Sequence, residues 1–301
     1  NLIDIKDDGS FLMNMEYFNY CRGFTMTSQA FNDLFGGPPR SPESQLTQRD
    51  MDLASSVQKA IEFAMLKLVK NAHKKVGGEN LCMSGGVALN CVANGKILNQ
   101  GPFKNIWIQP ASGDAGSAIG AALTVWHREF NGEREVNNGA DSQNSSLLGP
   151  SWTNEEIKTF LQSNRIPFKD LEDRELVSKT AECLADGAIV GWFQGKMEFG
   201  PRALGNRSIL GDPRRHEMQR DMNLKIKYRE SFRPFAPSVL AEKATEYFDI
   251  DTESPYMLLV ADVSDKQKLK PSNVDNKVQG MEMLNELRSN IPAVTHVDYS
   301  A

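Results

Sequence analysis

The stretch Leu81-Cys82-Met83-Ser84-Gly85-Gly86-Val87-Ala88-Leu89-Asn90 decides how this chain folds. Leu81 to Met83 read as a short buried strand, the Ser-Gly-Gly that follows as a tight loop, and Val87 to Leu98 as a helix. Upstream, Thr47-Gln48-Arg49-Asp50 has the form of a capping box with Asp in the place of Glu. It introduces Met51, Ala54, Val57, Ile61, Met65 and Leu68 at three-to-four-residue spacing, which predicts an amphipathic helix from 48 to 76 that stops at Gly77-Gly78. Downstream, after Gly101-Pro102, Lys104 to Ile108 read as a second strand, Gln109 to Gly113 as a loop, and Ala115 to Trp126 as a helix of small residues. Helices and strands alternating at this spacing predict an α/β layer architecture.

Residues 131–149 are polar and rich in Asn, Ser and Gly, and they cannot bury enough apolar area to offset the entropy of ordering them. The expected organisation is therefore a first domain over 1–135, a linker over 136–152 and a second domain over 153–301. Thr153-Asn154-Glu155-Glu156 is a second capping box, predicting helices over 154–163 and 173–186. Ala188 to Phe193 then form a strand whose C-terminal end runs into a basic window. From Lys196 to Arg233 ten basic residues face five acidic ones, while the chain as a whole carries −5. An acidic chain with one basic island argues against a general nucleic-acid binder and for a compact anionic ligand. Cys21, Cys82, Cys91 and Cys183 form no CxxC pair and fit buried thiols in a reducing cytosol, although one bridge stays open. The sequence has no apolar run long enough for a membrane span and no signal-peptide pattern. It starts at Asn1 and stops at Ala301, and it is read as an internal piece of a longer cytoplasmic protein, truncated at both ends.

Three motifs carry chemistry. Ser84-Gly85-Gly86-Val87 and Asn90 lie at a strand-to-helix junction, where backbone N–H groups can face a phosphate, although such a turn also serves simply as a turn. Ser112-Gly113-Asp114-Ala115-Gly116 places one carboxylate at a second such junction, with glycines leaving room for a nucleotide. Asp114 is either a helix cap or a metal ligand, and one carboxylate alone is not a metal site. In the basic window, guanidinium groups interleaved with Gly, Pro and Ser suit a phosphate or carboxylate pocket, and Phe199, Leu204, Phe232 and Phe235 set it apart from a solvated face. His73, His127, His216 and His296 show no ligand spacing.

The segments 81–94, 109–122 and Met197-Glu198-Phe199-Gly200-Pro201-Arg202-Ala203-Leu204-Gly205-Asn206-Arg207-Ser208 together resemble the O-carbamoyltransferases of the NodU/CmcH type. The resemblance extends from Met13-Asn14-Met15-Glu16-Tyr17-Phe18 through Pro292. It implies part of a Kae1-like domain of the actin/Hsp70 superfamily followed by a YrdC-like α/β domain. It also implies a relay: ATP and carbamoyl phosphate are converted to carbamoyl adenylate in the second domain, and the carbamoyl group passes to a hydroxyl of a small-molecule or oligosaccharide acceptor in the first. Both donors are polyanions, so cations must hold them together, and Lys196, Arg202, Arg207, Arg229 and Arg233 are the candidates. Ser84, Gly85, Gly86, Val87, Asn90, Gly113, Gly116, Asn206 and Ser208 are the candidate nucleotide-binding residues.

Asp114 would contribute to an Fe2+ or other divalent metal site, with Mg2+ accompanying ATP. The family's histidine ligands and its Asn-Thr-Ser-Phe-Asn-type motif have no counterpart in this sequence, so the other metal ligands are expected outside it. The competing readings are a threonylcarbamoyl-transfer or hydrogenase-maturation relative, and a noncatalytic actin/Hsp70-type ATP-binding module. The acidic remainder disfavours tRNA, and the second anion motif disfavours a bare nucleotide switch. The expected partners include no nucleic acid and no membrane, and a homodimer is compatible with the sequence.

Overall fold

A computed structural model describes residues 1–42, 44–134, 143–269 and 280–301. The first part of the expected linker, 136–142, lies outside these described residues. Strands β1 (Ile3–Ile5) and β2 (Phe11–Met13) form an antiparallel hairpin pairing Ile3 with Met13 and Ile5 with Phe11. After α1 (Gln29–Leu34), helix α2 (Gln48–Val76) occupies the expected span because both of its ends are chemically specified. The Thr47 and Asp50 side chains each bond to the other's backbone N–H, a cap worth about 1 kcal/mol. Gly77, at φ +72°, ends the helix. The buried patch of α2 differs from the expected stripe. Glu62, Ala64 and Val69 are buried whereas Val57 and Leu68 are exposed, and Glu62 is drawn inward by an ion pair with Lys96.

Strand β3 (Asn80–Met83) is followed by a 3-10 turn over Gly86–Leu89, helix α3 (Cys91–Gln100) and strand β4 (Asn105–Ile108). The single helix expected from 87 to 98 is thus interrupted. Asn90, at φ −77° and ψ 89°, leaves the helical region, so the turn before it and the helix after it are separate elements. Strands β3 and β4 pair, and the flanking bonds Asn105 N to Glu79 O and Gln109 N to Met83 O advance in the same direction, so the pair is parallel. Helix α3 supplies the crossover that parallel strands need. Its residues Ala93 and Ile97 are almost wholly buried.

Helix α4 (Asp114–Thr124) passes into a π-turn over Val125–Glu129, somewhat beyond the expected end at Trp126. Helices α5 (Asn154–Ser163) and α6 (Asp173–Ala185) fall within a residue of their expected spans, and α5 carries the reciprocal Thr153–Glu156 box. Strand β5 (Val190–Phe193) pairs antiparallel with β6 (Arg207–Leu210), an element that has no signal in the sequence pattern. Short helices α7 (Met218–Asp221) and α8 (Ala244–Tyr247) complete the set.

Contacts divide the chain into two units, one of residues 1–82 and 92–107, the other of 83–91 and 108–301. The second has a core of Met218, Met222 and Ala293 packed with Ile189, Ile209 and Phe235, and another of Phe248, Val263, Ile291 and Val294. The fold is α/β, with its strands in two-stranded sheets. All four cysteines are free, and Cys21 and Cys82 are exposed rather than buried. No helix among the described residues is long and apolar enough to cross a membrane.

Candidate functional site

Because β3 and β4 run parallel, the loops that leave their C-terminal ends lie side by side. Gly85 N donates to Ser112 O at 3.0 Å, joining the 84–90 loop to the 109–113 loop. Gly85 sits at φ +103°, which L side chains rarely adopt. A Cβ placed on Gly85 or Gly86 would meet nothing within 4 Å, so this backbone is bare on its outer side. Ser84 and Val87 are also exposed, and Asn90 is half-buried. Gly113 precedes α4, and a Cβ on Gly116 would fall 2.2 Å from the Ala111 carbonyl oxygen, so only glycine lets the first turn of α4 approach the loop. The Asp114 side chain is exposed at the start of that helix.

The loop between β5 and β6 folds around a buried carboxylate. Glu198 accepts bonds from the backbone N–H groups of Leu204 (2.8 Å), Asn206 (2.7 Å) and Arg207 (3.3 Å), all on Oε1. Burial alone would push its pKa up, but these N–H groups stabilise the anion and hold it below the usual carboxylate value. The Asn206 amide donates to Lys196 O at 2.8 Å, and the Ser208 hydroxyl accepts from Gly205 N at 2.9 Å. Arg207 donates to the carbonyls of Gln194, Gly195 and Asn206, and its guanidinium carbon lies 3.4 Å from the Phe193 ring centre. Asn206, Arg207 and Ser208 therefore shape the loop from within.

Arg202 alone of the five candidate cations reaches the first pair of loops. Its Nη2 donates to Leu89 O at 3.2 Å, and its Nε is buried with no partner among the described residues. Gly200 approaches Pro110 and Ala111, where a Cβ would be 3.4 Å from the Pro110 carbonyl oxygen. The structure thus brings together Ser84–Asn90, Gly113–Gly116 and Gly200–Arg202.

Arg229 and Arg233 stand on a separate loop. Asn223, fully buried, accepts from Arg229 Nε at 2.7 Å and donates to Ser231 O and Arg233 O at 3.1 and 2.8 Å. Phe235, 5.1 Å from the Arg229 guanidinium carbon, ties this loop to the Met218–Met222 core. Much of the basic surplus is matched locally: Arg233 pairs with Glu230, Lys225 with Asp221, and Arg214 with buried Asp212. The Lys196 and Lys227 side chains make no hydrogen bond or ion pair among the described residues.

Glu198 and Asn223 carry no spacing signal, since most of their bonds run to backbone. The one hint for Glu198 is a lone acid between Lys196 and Arg202. Among the described residues no group of three or more His, Cys, Asp or Glu side chains could hold a metal ion, so Asp114 does not fit a metal centre by itself.

Comparison with known sequences follows the same motifs. A family model described as Carbamoyltransferase N-terminus matches residues 1–123, and one described as Carbamoyltransferase C-terminus matches 181–301. An uncharacterized protein of Synechocystis is 58% identical over 100% of this chain and 49% of its own length. Nodulation protein NolO of Bradyrhizobium diazoefficiens is 40% identical over 72% of this chain and 39% of its own. Nodulation protein U of Sinorhizobium fredii is 33% identical over 83% of this chain and 39% of its own. The chain spans half or less of the length of these relatives.

Proposed function

The chain belongs to the carbamoyltransferase family, and from that premise we propose that the full-length protein makes carbamoyl adenylate and passes its carbamoyl group to a hydroxyl of a small-molecule or oligosaccharide acceptor. Carbamoyl phosphate, ATP and water give carbamoyl adenylate, pyrophosphate and orthophosphate. The acceptor oxygen then bonds to the carbamoyl carbon, and AMP leaves. The observation that carries this reading is the meeting of the bare Gly85–Gly86 turn with the 109–113 loop, joined through Gly85 N and Ser112 O, and with the half-buried guanidinium of Arg202.

In this reading the Ser84–Asn90 backbone faces the adenylate phosphate, Gly113 faces the nucleoside, and Gly116 lets the first turn of α4 pack close to the loop that holds it. Arg202 and Lys196 supply positive charge, each charge-assisted contact contributing about 1.5–3 kcal/mol. Arg229 and Arg233 face carbamoyl phosphate or ATP, and Arg207 fixes the loop that presents the others. The two halves correspond to Kae1-like and YrdC-like architectures. Mg2+ enters on the triphosphate. An Fe2+ or other divalent ion at Asp114 would need ligands beyond the described residues, and no step is derived through it.

The test is to give the full-length protein ATP, carbamoyl phosphate and a panel of hydroxylated acceptors, and to follow AMP, pyrophosphate and the mass of the product. Release of both with a product heavier by one carbamoyl group is expected. Acceptor-dependent ADP without AMP would replace the relay with a kinase.

A further inference from the structure

Turns rich in glycine bind anions because consecutive N–H groups converge on one point. The Leu204–Arg207 turn holds one glycine, yet three of its N–H donors converge in the same way, and they already face the chain's own Glu198 oxygen. Resting on the carbamoyl-activation reading, we propose that Glu198 is a positioning residue that fills this cup, so that the loop is shaped before any ligand arrives and the ligand's phosphates are left to the cationic side chains. Glu198 is buried, at 7% exposure, while the chain around it is cationic. A carboxylate beside a polyanion site repels the ligand, so its presence needs a compensating role. That role is structural control over short distances. Glu198 lies two residues from Lys196 and four from Arg202, and the turn it seals ends at Arg207.

The other interior groups of the loop are spent in the same direction. The Asn206 amide closes on Lys196 O, Ser208 Oγ on Gly205 N, and the Arg207 guanidinium on the carbonyls of Gln194 and Gly195. Among the side chains of this loop, the Arg202 Nε is buried and has no partner among the described residues.

The experiment uses the full-length protein with Glu198→Ala, Glu198→Asp and Glu198→Gln, beside Ile209→Val as a packing control in the adjoining core. Two readouts are compared: amide hydrogen exchange over 198–208, and the KM and kcat of AMP formation for ATP and carbamoyl phosphate. In Glu198→Ala, loss of bonds to a charged group should speed exchange at Leu204, Asn206 and Arg207 by about tenfold or more and raise both KM values by a similar factor, with kcat changing less. Glu198→Asp, whose carboxylate is one methylene further from the cup, should follow Ala even if Ala fails to fold. Glu198→Gln keeps an acceptor oxygen and should restore both readouts. Ile209→Val should lower Tm without moving KM.

Unchanged exchange in Ala and Asp, a Gln variant as impaired as Ala, or an equal KM rise in Ile209→Val would each overturn the proposal. A wild-type protein that forms no AMP sinks the activity reading instead, and the exchange data then still decide whether Glu198 holds the loop.

Discussion

Two glycine-containing turns in this molecule both follow a strand or its loop and differ as structure. The Ser84–Asn90 turn leaves its glycine backbone bare, with no atom within 4 Å of where a Cβ on Gly85 or Gly86 would stand. The Ala203–Ser208 turn has its backbone donors closed over Glu198. The difference teaches that glycine content marks where backbone can approach an anion, while the nearest acid decides whether that anion is a ligand or part of the chain. An open turn should therefore be sensitive in activity and indifferent in stability, whereas a sealed one should lose local stability together with ligand affinity when its seal is removed.

The strongest way to break this contrast is Gly86→Val. Its side chain would enter open space, so stability should move by no more than about 0.5 kcal/mol, as at an ordinary surface position. Carbamoyl transfer should nonetheless fall by about 100-fold, because a small displacement of bound reactants carries that cost. Normal transfer at unchanged Tm would show that the open turn is not a cradle.

Asn223→Ala tests the sealed side. It strands two carbonyls and one guanidinium around a buried site, and each unsatisfied group costs about 1–3 kcal/mol. Urea unfolding should report a loss of about 2–4 kcal/mol, and a change under about 0.5 kcal/mol would mean that the 229–233 loop holds itself. A smaller effect is expected at Arg202, which sits between the two kinds of turn. Arg202→Ala should lower kcat/KM by about 1.5–3 kcal/mol in activation free energy, and Arg202→Lys should recover only part of it because the planar fork is lost. Full recovery by Lys would make Arg202 a point charge rather than a strut on Leu89 O.

The smallest effect concerns the C-terminal segment, another self-sealed region, where Arg288 Nε bonds His296 O and the Ser300 hydroxyl approaches the His296 ring at 3.3 Å. Burial holds His296 below the ordinary value of 6.5, the Arg288 cation adds to this, and Asp298 opposes it. A folded-state pKa below the unfolded one means that the neutral ring's contribution is complete above about pH 6.5 and is lost as pH falls through the lower folded value. Tm should decline on acidification across that range, and the decline should shrink in His296→Gln. An identical acid limb in the variant would remove His296 as its source.

Local chemistry was readable from the sequence wherever it was self-contained. Thr47 with Asp50, and Thr153 with Glu156, specify their helix starts through atoms three residues apart. Strand β6 was not readable, because its partner β5 lies across a thirteen-residue loop and Arg207-Ser208-Ile209-Leu210 has no turn or alternation to announce it. Asn90 broke an expected helix for a related reason: helical propensity cannot register the 109–113 loop bonded to the turn before it. Of the candidate site, the glycines and Asp114 were legible as junction residues. Glu198 and Asn223 were not, since side chains bonded mainly to backbone leave no pattern in spacing.

The bond from Arg202 to Leu89 O spans 113 residues. During synthesis at about 5–20 residues per second, roughly 6–23 s pass between the emergence of Leu89 and that of Arg202. Through that interval the bare Ser84–Asn90 turn exists without its guanidinium, and a nascent chain halted anywhere before residue 202 carries an unfinished site.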